Sequence, residues 1–139
     1  MADYAKPLPT PDPLTKTYWD SVKAHAMQLQ QCNACQRFVF YPRAVCPHCG
    51  SRDLAWKPVS GKGKLYGYTI NMGKHPSTAA FNNDVPYVVA VVELAEGVRM
   101  MTNLVGVEPD PSKIKVDMDV VLTYDDVTDA ISLPKFKPA

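Results

Sequence analysis

A chain of 139 residues, 46% apolar and 21% charged, has the mass of one domain with at most a small module attached, and is too apolar for wholesale disorder. Its formal charge of +1 becomes about −1 if four cysteine thiolates hold one divalent ion, and residues 60–139 set eight Lys/Arg against ten Asp/Glu, a poor match to the basic footprint of a nucleic-acid binder. No run of about 18 apolar residues is present to span a membrane, and Met1-Ala2-Asp3-Tyr4 lacks the start of a secretion signal, so a cytoplasmic protein without membrane insertion is expected.

Residues 1–13 carry Pro7, Pro9, Pro11 and Pro13, each with a fixed φ and no N–H to donate, and read as an extended arm. Asp12 can cap a helix that Pro13 opens at its first position. Leu14, Tyr18, Val22 and Ala26 recur at every fourth position with Trp19 beside them, so the spacing predicts a helix over 13–27 with an aromatic-rich face. Arm and helix form a first segment, 1–29.

The second segment, 30–58, contains every cysteine together with Pro42, Pro47 and Gly50. It has too little apolar mass to order itself, and a metal supplies what packing cannot. The pattern is Cys32-Asn33-Ala34-Cys35, ten intervening residues, then Cys46-Pro47-His48-Cys49. Two residues between cysteines let each pair wrap one face of a tetrahedral ion, so Cys32, Cys35, Cys46 and Cys49 are expected to bind Zn²⁺; iron in a rubredoxin-like site has the same ligand geometry. Disulfides would call for a secretory context, and a redox dithiol needs one such pair, not two. Four protein ligands leave no open position, so the role is structural. Gly50 suits the tight turn after the second pair, and Gln36 is a less comfortable residue at the equivalent place after the first. His48 reads as a loop histidine.

From residue 59 the character changes to strands. Leu65-Tyr66-Gly67-Tyr68-Thr69-Ile70 alternates, and 85–94 is a nearly continuous apolar run that reads as a strand buried on both faces. Ala95-Glu96-Gly97 turns into a hairpin partner at 98–105. After the break at Glu108-Pro109-Asp110-Pro111, strands at 120–124 and 130–133 complete five, enough for a small closed antiparallel barrel over 59–139. The expected fold class is mainly β: an N-terminal helix, a zinc ribbon and a five-stranded barrel.

No nucleotide loop, serine elbow or other catalytic constellation appears. Gly61-Lys62-Gly63-Lys64, with Lys57 and Lys74, makes residues 57–74 free of acids; this is either a local phosphate site or a solvated strand start. Tyr66 and Tyr68, two apart, are expected to share one strand face, either stacking on a base or packing on the core. His75 reads as a loop histidine, in a long loop, 73–84, that would line any ligand approach.

The order of features resembles a known family. It runs from the proline-rich arm and the Tyr18-Trp19 helix through the two cysteine pairs around Tyr41-Pro42-Arg43 to Ser60-Gly61-Lys62-Gly63, the Tyr68-Thr69 strand, Pro86-Tyr87-Val88-Val89-Ala90, Glu93-Leu94 and Gly97. The chain is similar, over nearly its whole length, to the acyl-CoA-associated proteins built as a rubredoxin-like zinc ribbon followed by an OB-fold. Gln36 stands where that family commonly has glycine, and Tyr41 where it has proline. The resemblance implies a non-catalytic partner of a thiolase-fold, aldolase or acyl-CoA hydratase enzyme, with an OB domain that helps to hold CoA. On that reading Leu14, Tyr18, Trp19 and Val22 dock the partner, and Lys62, Lys64, Tyr66 and Lys74 face the phosphates and adenine of an acyl-CoA. The alternative is a single-stranded nucleic-acid-binding OB-fold protein, against which the net charge of 60–139 counts.

Overall fold

In the computed structural model, which describes residues 4–139, Asp12 closes the first turn of the chain. Its carboxylate accepts from the Thr15 N–H at 2.8 Å while the Thr15 hydroxyl accepts from the Asp12 N–H at 3.1 Å, a reciprocal cap. Helix α1 follows at Lys16–Lys23 and is shorter than the spacing predicts. Pro13 and Leu14 lie in the capping turn. At the other end His25 takes a left-handed φ of 58° so that the chain can reverse. The helix thus buries Tyr18 and Val22, while Leu14 stays 42% exposed and Ala26 lies beyond the helix. Residues 1–3 of the predicted arm lie outside the described residues.

Three strands follow in a segment whose irregular composition gave no strand signal: β1 (Gln28–Cys32), β2 (Phe38–Val39) and β3 (Leu54–Pro58), in the order β2-β1-β3. The central strand is tied to the loop beyond β2 by Gln30. This side chain is only 6% exposed, and its amide donates to the Arg43 carbonyl at 2.9 Å and accepts from the Arg43 N–H at 2.7 Å. Both polar ends of a buried amide are therefore satisfied.

The remainder forms a closed barrel, β4-β5-β6-β8-β7, from β4 (Lys62–Asn71), β5 (Tyr87–Leu94), β6 (Arg99–Leu104), β7 (Asp119–Asp126) and β8 (Ser132–Pro138). All pairings are antiparallel except β6 with β8, the strand order of an OB-fold. The parallel seam is thin, and the Thr102 hydroxyl reinforces it by donating to the Pro134 carbonyl at 2.9 Å. Strand β5 is not buried on both faces as its apolar run suggests. Val88, Ala90, Val92 and Leu94 point into the core, while Tyr87, Val89, Val91 and Glu93 alternate outward and are half-covered. The apolar run hides an ordinary period of two.

The main core joins helix, ribbon base and barrel. Tyr18 and Val22 of the helix and Met27 and Leu29 leading into the ribbon pack with Leu65, Val92, Met100, Val120 and Phe136 of the barrel. A second, smaller cluster holds Cys32, Val39 and Cys46. Among the described residues no helix is long and apolar enough to cross a membrane.

Candidate metal centre and the basic face of the barrel

The two cysteine knuckles are built alike. In the first, the Gln36 N–H donates to the Cys32 carbonyl at 2.8 Å; in the second, the Gly50 N–H donates to the Cys46 carbonyl at 2.9 Å. Each then turns through the left-handed region, with φ of 66° at Gln36 and 79° at Gly50. Backbone amides also point at sulfur, from Cys35 to Cys32 Sγ at 3.5 Å and from His48 to Cys46 Sγ at 3.4 Å.

The four Sγ atoms lie within 4.8 Å of one another. Cys32 Sγ is 3.6 Å from Cys49 Sγ and Cys35 Sγ is 3.7 Å from Cys46 Sγ. These separations exceed the ~2.05 Å of a disulfide, and all four cysteines are free. They match instead the edge of a sulfur tetrahedron, about 3.8 Å for Zn–S bonds of about 2.3 Å. The donor set therefore fits a structural metal. Amide hydrogen bonds, that of Cys35 foremost, hold the Cys32 thiol down to about 6. The Ser51 amide pulls Cys49 down as well, but the Cys32 sulfur, burial and the other thiols outweigh it and push Cys49 up to about 11. His48 stands outside the sulfur set, with Nδ1 3.3 Å from an Arg37 nitrogen.

The residues expected to face a ligand are only partly brought together. Lys62 and Lys64 border a shallow depression with Gly63, Ala95, Gly97 and Asp119. Lys64 Nζ lies 2.7 Å from Asp119 Oδ1, and that bond holds its amine above the ordinary lysine range. Tyr66 shares this outer face, 49% exposed. Lys74 does not join them, because it follows the far end of ten-residue β4, roughly 30 Å of strand away. Tyr66 and Tyr68 do not share a face either. The register slips between Leu65 and Gly67, so Tyr66 is the extra residue of a β-bulge and the parity of the strand inverts beyond it. Tyr68 turns inward against the core, and its hydroxyl reaches the Ile114 carbonyl at 3.4 Å.

Arg99, which the sequence reading passed over, lies across the Tyr66 ring at 3.8 Å with its Nε 3.6 Å from Glu93. The Ala95-Glu96-Gly97 turn was the available signal, since it sets Glu93 opposite Arg99. Of the residues expected to dock a partner, Tyr18 and Val22 are buried within the chain. The Trp19 indole N–H donates to the Tyr41 hydroxyl at 2.8 Å, and both Leu14 and Tyr41 are exposed. His75 accepts from the Ser77 N–H at 3.1 Å and so caps the 3-10 helix Pro76–Phe81. His25 and Ser132 both bind the Asp126 carboxylate; serine meets the acid, not the imidazole, so no nucleophile is activated.

The geometry has counterparts. The family description "ChsH2, rubredoxin-like zinc ribbon domain" matches residues 28–55, and "ChsH2, C-terminal OB-fold domain" matches 56–125. The chain is 41% identical over 122 residues to a probable enoyl-CoA hydratase alpha subunit of Thermomonospora curvata, covering 88% of this chain and 36% of that protein. It thus spans about a third of that relative's length. It is 34% identical to a DUF35 domain-containing scaffold protein of Methanothermobacter thermautotrophicus, covering 66% of this chain and 67% of the other. Among solved structures it resembles a chain of the Ltp2-ChsH2(DUF35) aldolase, with a TM-score of 0.78, 36% identity and coverage of 94% of this chain and 98% of that one.

Proposed function

The chain belongs to the ChsH2 family of rubredoxin-like zinc ribbon and OB-fold domains, and from that premise we propose that it is a non-catalytic accessory subunit of a thiolase-, aldolase- or hydratase-type acyl-CoA enzyme. The observation that carries this reading is the closed centre. Four sulfurs converge on one point and leave no coordination position for water or substrate. The Ser77 hydroxyl, 2.6 Å from His75 Nδ1, belongs to the exposed 3-10 turn that the same imidazole caps.

Zinc is the metal we assign to Cys32, Cys35, Cys46 and Cys49, where it would cross-link the two knuckles. The chain's own residues do the rest. Gln30 fixes the loop to Arg43, and Met27 and Leu29 root the ribbon in the barrel core, so that ribbon and barrel present one fixed surface. We take residues 1–29, 30–58 and 59–139 as the working units and the cytoplasm as the location. The relatives named above support a CoA thioester as the small molecule the complex handles. Lys62, Lys64 and Tyr66 form the outer face proposed to meet it, and Lys74 would meet it only at the opposite end of β4.

Purification of the tagged chain from its native cells under mild conditions, with mass spectrometry of what accompanies it, tests the role. A stoichiometric thiolase-, aldolase- or hydratase-type enzyme is expected. Recovery of the chain alone, or with nucleic acid, contradicts it.

A further inference from the structure

At the end of the barrel where β5 and β8 begin, the arm crosses a cavity of about 540 Å³, lined by Tyr4, Lys6 and Pro7 of the arm and by Val88, Leu104 and Leu133 of the strands. This volume lies within the range of small-molecule sites, about 300–1,000 Å³. The arm lies across it as an extended segment. Tyr4 and Lys6 are half-buried while Ala5 and Pro7 are exposed, the alternation of extended backbone.

Little holds the arm there. Among the described residues, none of 4–11 takes part in a backbone–backbone hydrogen bond, and Pro7, Pro9 and Pro11 have no N–H to give. The first firm anchor is the Asp12–Thr15 cap, and the prolines before it make a semi-rigid spacer. Fastening beyond the cap is concentrated at Lys6. Its ammonium pairs with Asp84 and lies 5.6 Å from the centroids of both the Tyr4 and the Phe81 rings. The Asp84 side chain is 46% exposed, and an ion pair so placed contributes little in water. A closure that rests on one such pair opens and shuts readily.

The charges around the cavity are already satisfied. Lys135 Nζ lies 2.9 Å from Asp125, and Lys6 with Asp84 closes the other side. What remains for an occupant is apolar: the Phe81 and Tyr87 rings, 6.1 Å apart, facing Val88, Leu104 and Leu133. An ion would have to break a pair to gain a partner, whereas an uncharged group needs none.

We propose that residues 4–7 are a releasable strap, latched by Lys6 to Asp84, over a site for an uncharged aromatic or aliphatic group. An occupant enters only when the strap swings away from Phe81, so the latch sets the fraction of chains open to bind. This device goes beyond the accessory role and does not depend on it.

Titration of the full, metal-loaded chain with indole, read from the methyl resonances of Val88, Leu104 and Leu133, tests the strap. Indole is uncharged, so its affinity reports access and not attraction to an altered residue. Asp84→Asn, which keeps the size of the side chain, and Lys6→Glu should each tighten indole binding by about two- to fivefold. Lys6→Glu combined with Asp84→Lys restores the pair in reverse and should bring the affinity back toward wild type. Sodium chloride at about 1 M should tighten binding to wild type more than to Asp84→Asn, because only wild type has a latch to screen. Unchanged thermal midpoints show that the variants fold. Equal affinity in wild type and both single variants, a reversed pair that binds as tightly as Lys6→Glu alone, or methyl resonances that move in no variant at millimolar indole overturns the proposal.

Discussion

Gln36 and Gly50 hold the same place in two knuckles, each with a positive φ (66° and 79°) and each donating its N–H to the carbonyl of the knuckle's first cysteine. Only one of them is a glycine. A side chain in the left-handed region costs roughly 1–2 kcal/mol, partly offset here by the bond from the Gln36 amide to the Asn33 carbonyl at 2.8 Å. Gln36→Gly should raise stability by up to about 1 kcal/mol, and Gly50→Ala should lower it by about 1 kcal/mol. Urea unfolding of the metal-loaded chain gives both signs.

Gln30 is the buried strut between β1 and the loop at Arg43. Gln30→Ala would strand the Arg43 N–H and carbonyl and should cost about 2–3 kcal/mol. Amide exchange at Arg43 should quicken at the same time, while barrel amides such as that of Leu65 keep their protection. Equal loosening of both regions would show that the strut is not local.

Gly63 and Gly67 lie on the same strand in opposite circumstances. A Cβ on Gly63 would sit 2.7 Å from the Glu93 carbonyl oxygen and 2.8 Å from Val92 Cγ1, whereas one on Gly67 meets nothing within 4 Å. Gly63→Ala should therefore destabilise by about 1–3 kcal/mol. Gly67→Ala should be neutral or slightly stabilising, as expected where alanine replaces glycine in open strand. Thermal melts of the two variants side by side make the comparison.

Much of this architecture is legible in the residues. The cysteine spacing leads directly to the sulfur cluster because a CxxC knuckle is a local structure. The barrel strands are legible too, since turn residues such as Gly97 punctuate them. The illegible parts depend on long-range register. Nothing local marks Tyr66 as the extra residue of a bulge, which is set by how Leu65 and Gly67 pair with Val92 and Val91. The period of four ran the helix on to Ala26, but β1 must turn back to bury Met27 and Leu29, and His25 breaks the helix to allow it. The ribbon strands carry few apolar residues, because metal and Gln30 replace hydrophobic packing there.

Asp126 links the end of the helix to the barrel, with His25 Nε2 at 2.8 Å and the Ser132 hydroxyl also bonded to it. These partners, His25 foremost, hold its carboxyl below the usual carboxylate range. A depressed folded value means that the contribution is fully present above the unfolded value, near 3.8, and is lost as pH falls through the lower folded one. Asp126→Asn should therefore destabilise the chain at pH 7, and the gap to wild type should close below about pH 4. Denaturant midpoints across that range would show a constant gap if the link were not electrostatic.

The convergence of Cys32, Cys35, Cys46 and Cys49 on a single ion is tested most directly by the metal content of natively purified chain, measured together with its free thiols. One zinc per chain is predicted, with thiols that stay unreactive until a chelator removes the metal and the ribbon strands unfold while they become reactive. A metal-free chain that keeps its full fold, or sulfurs found oxidised in pairs, would contradict the account.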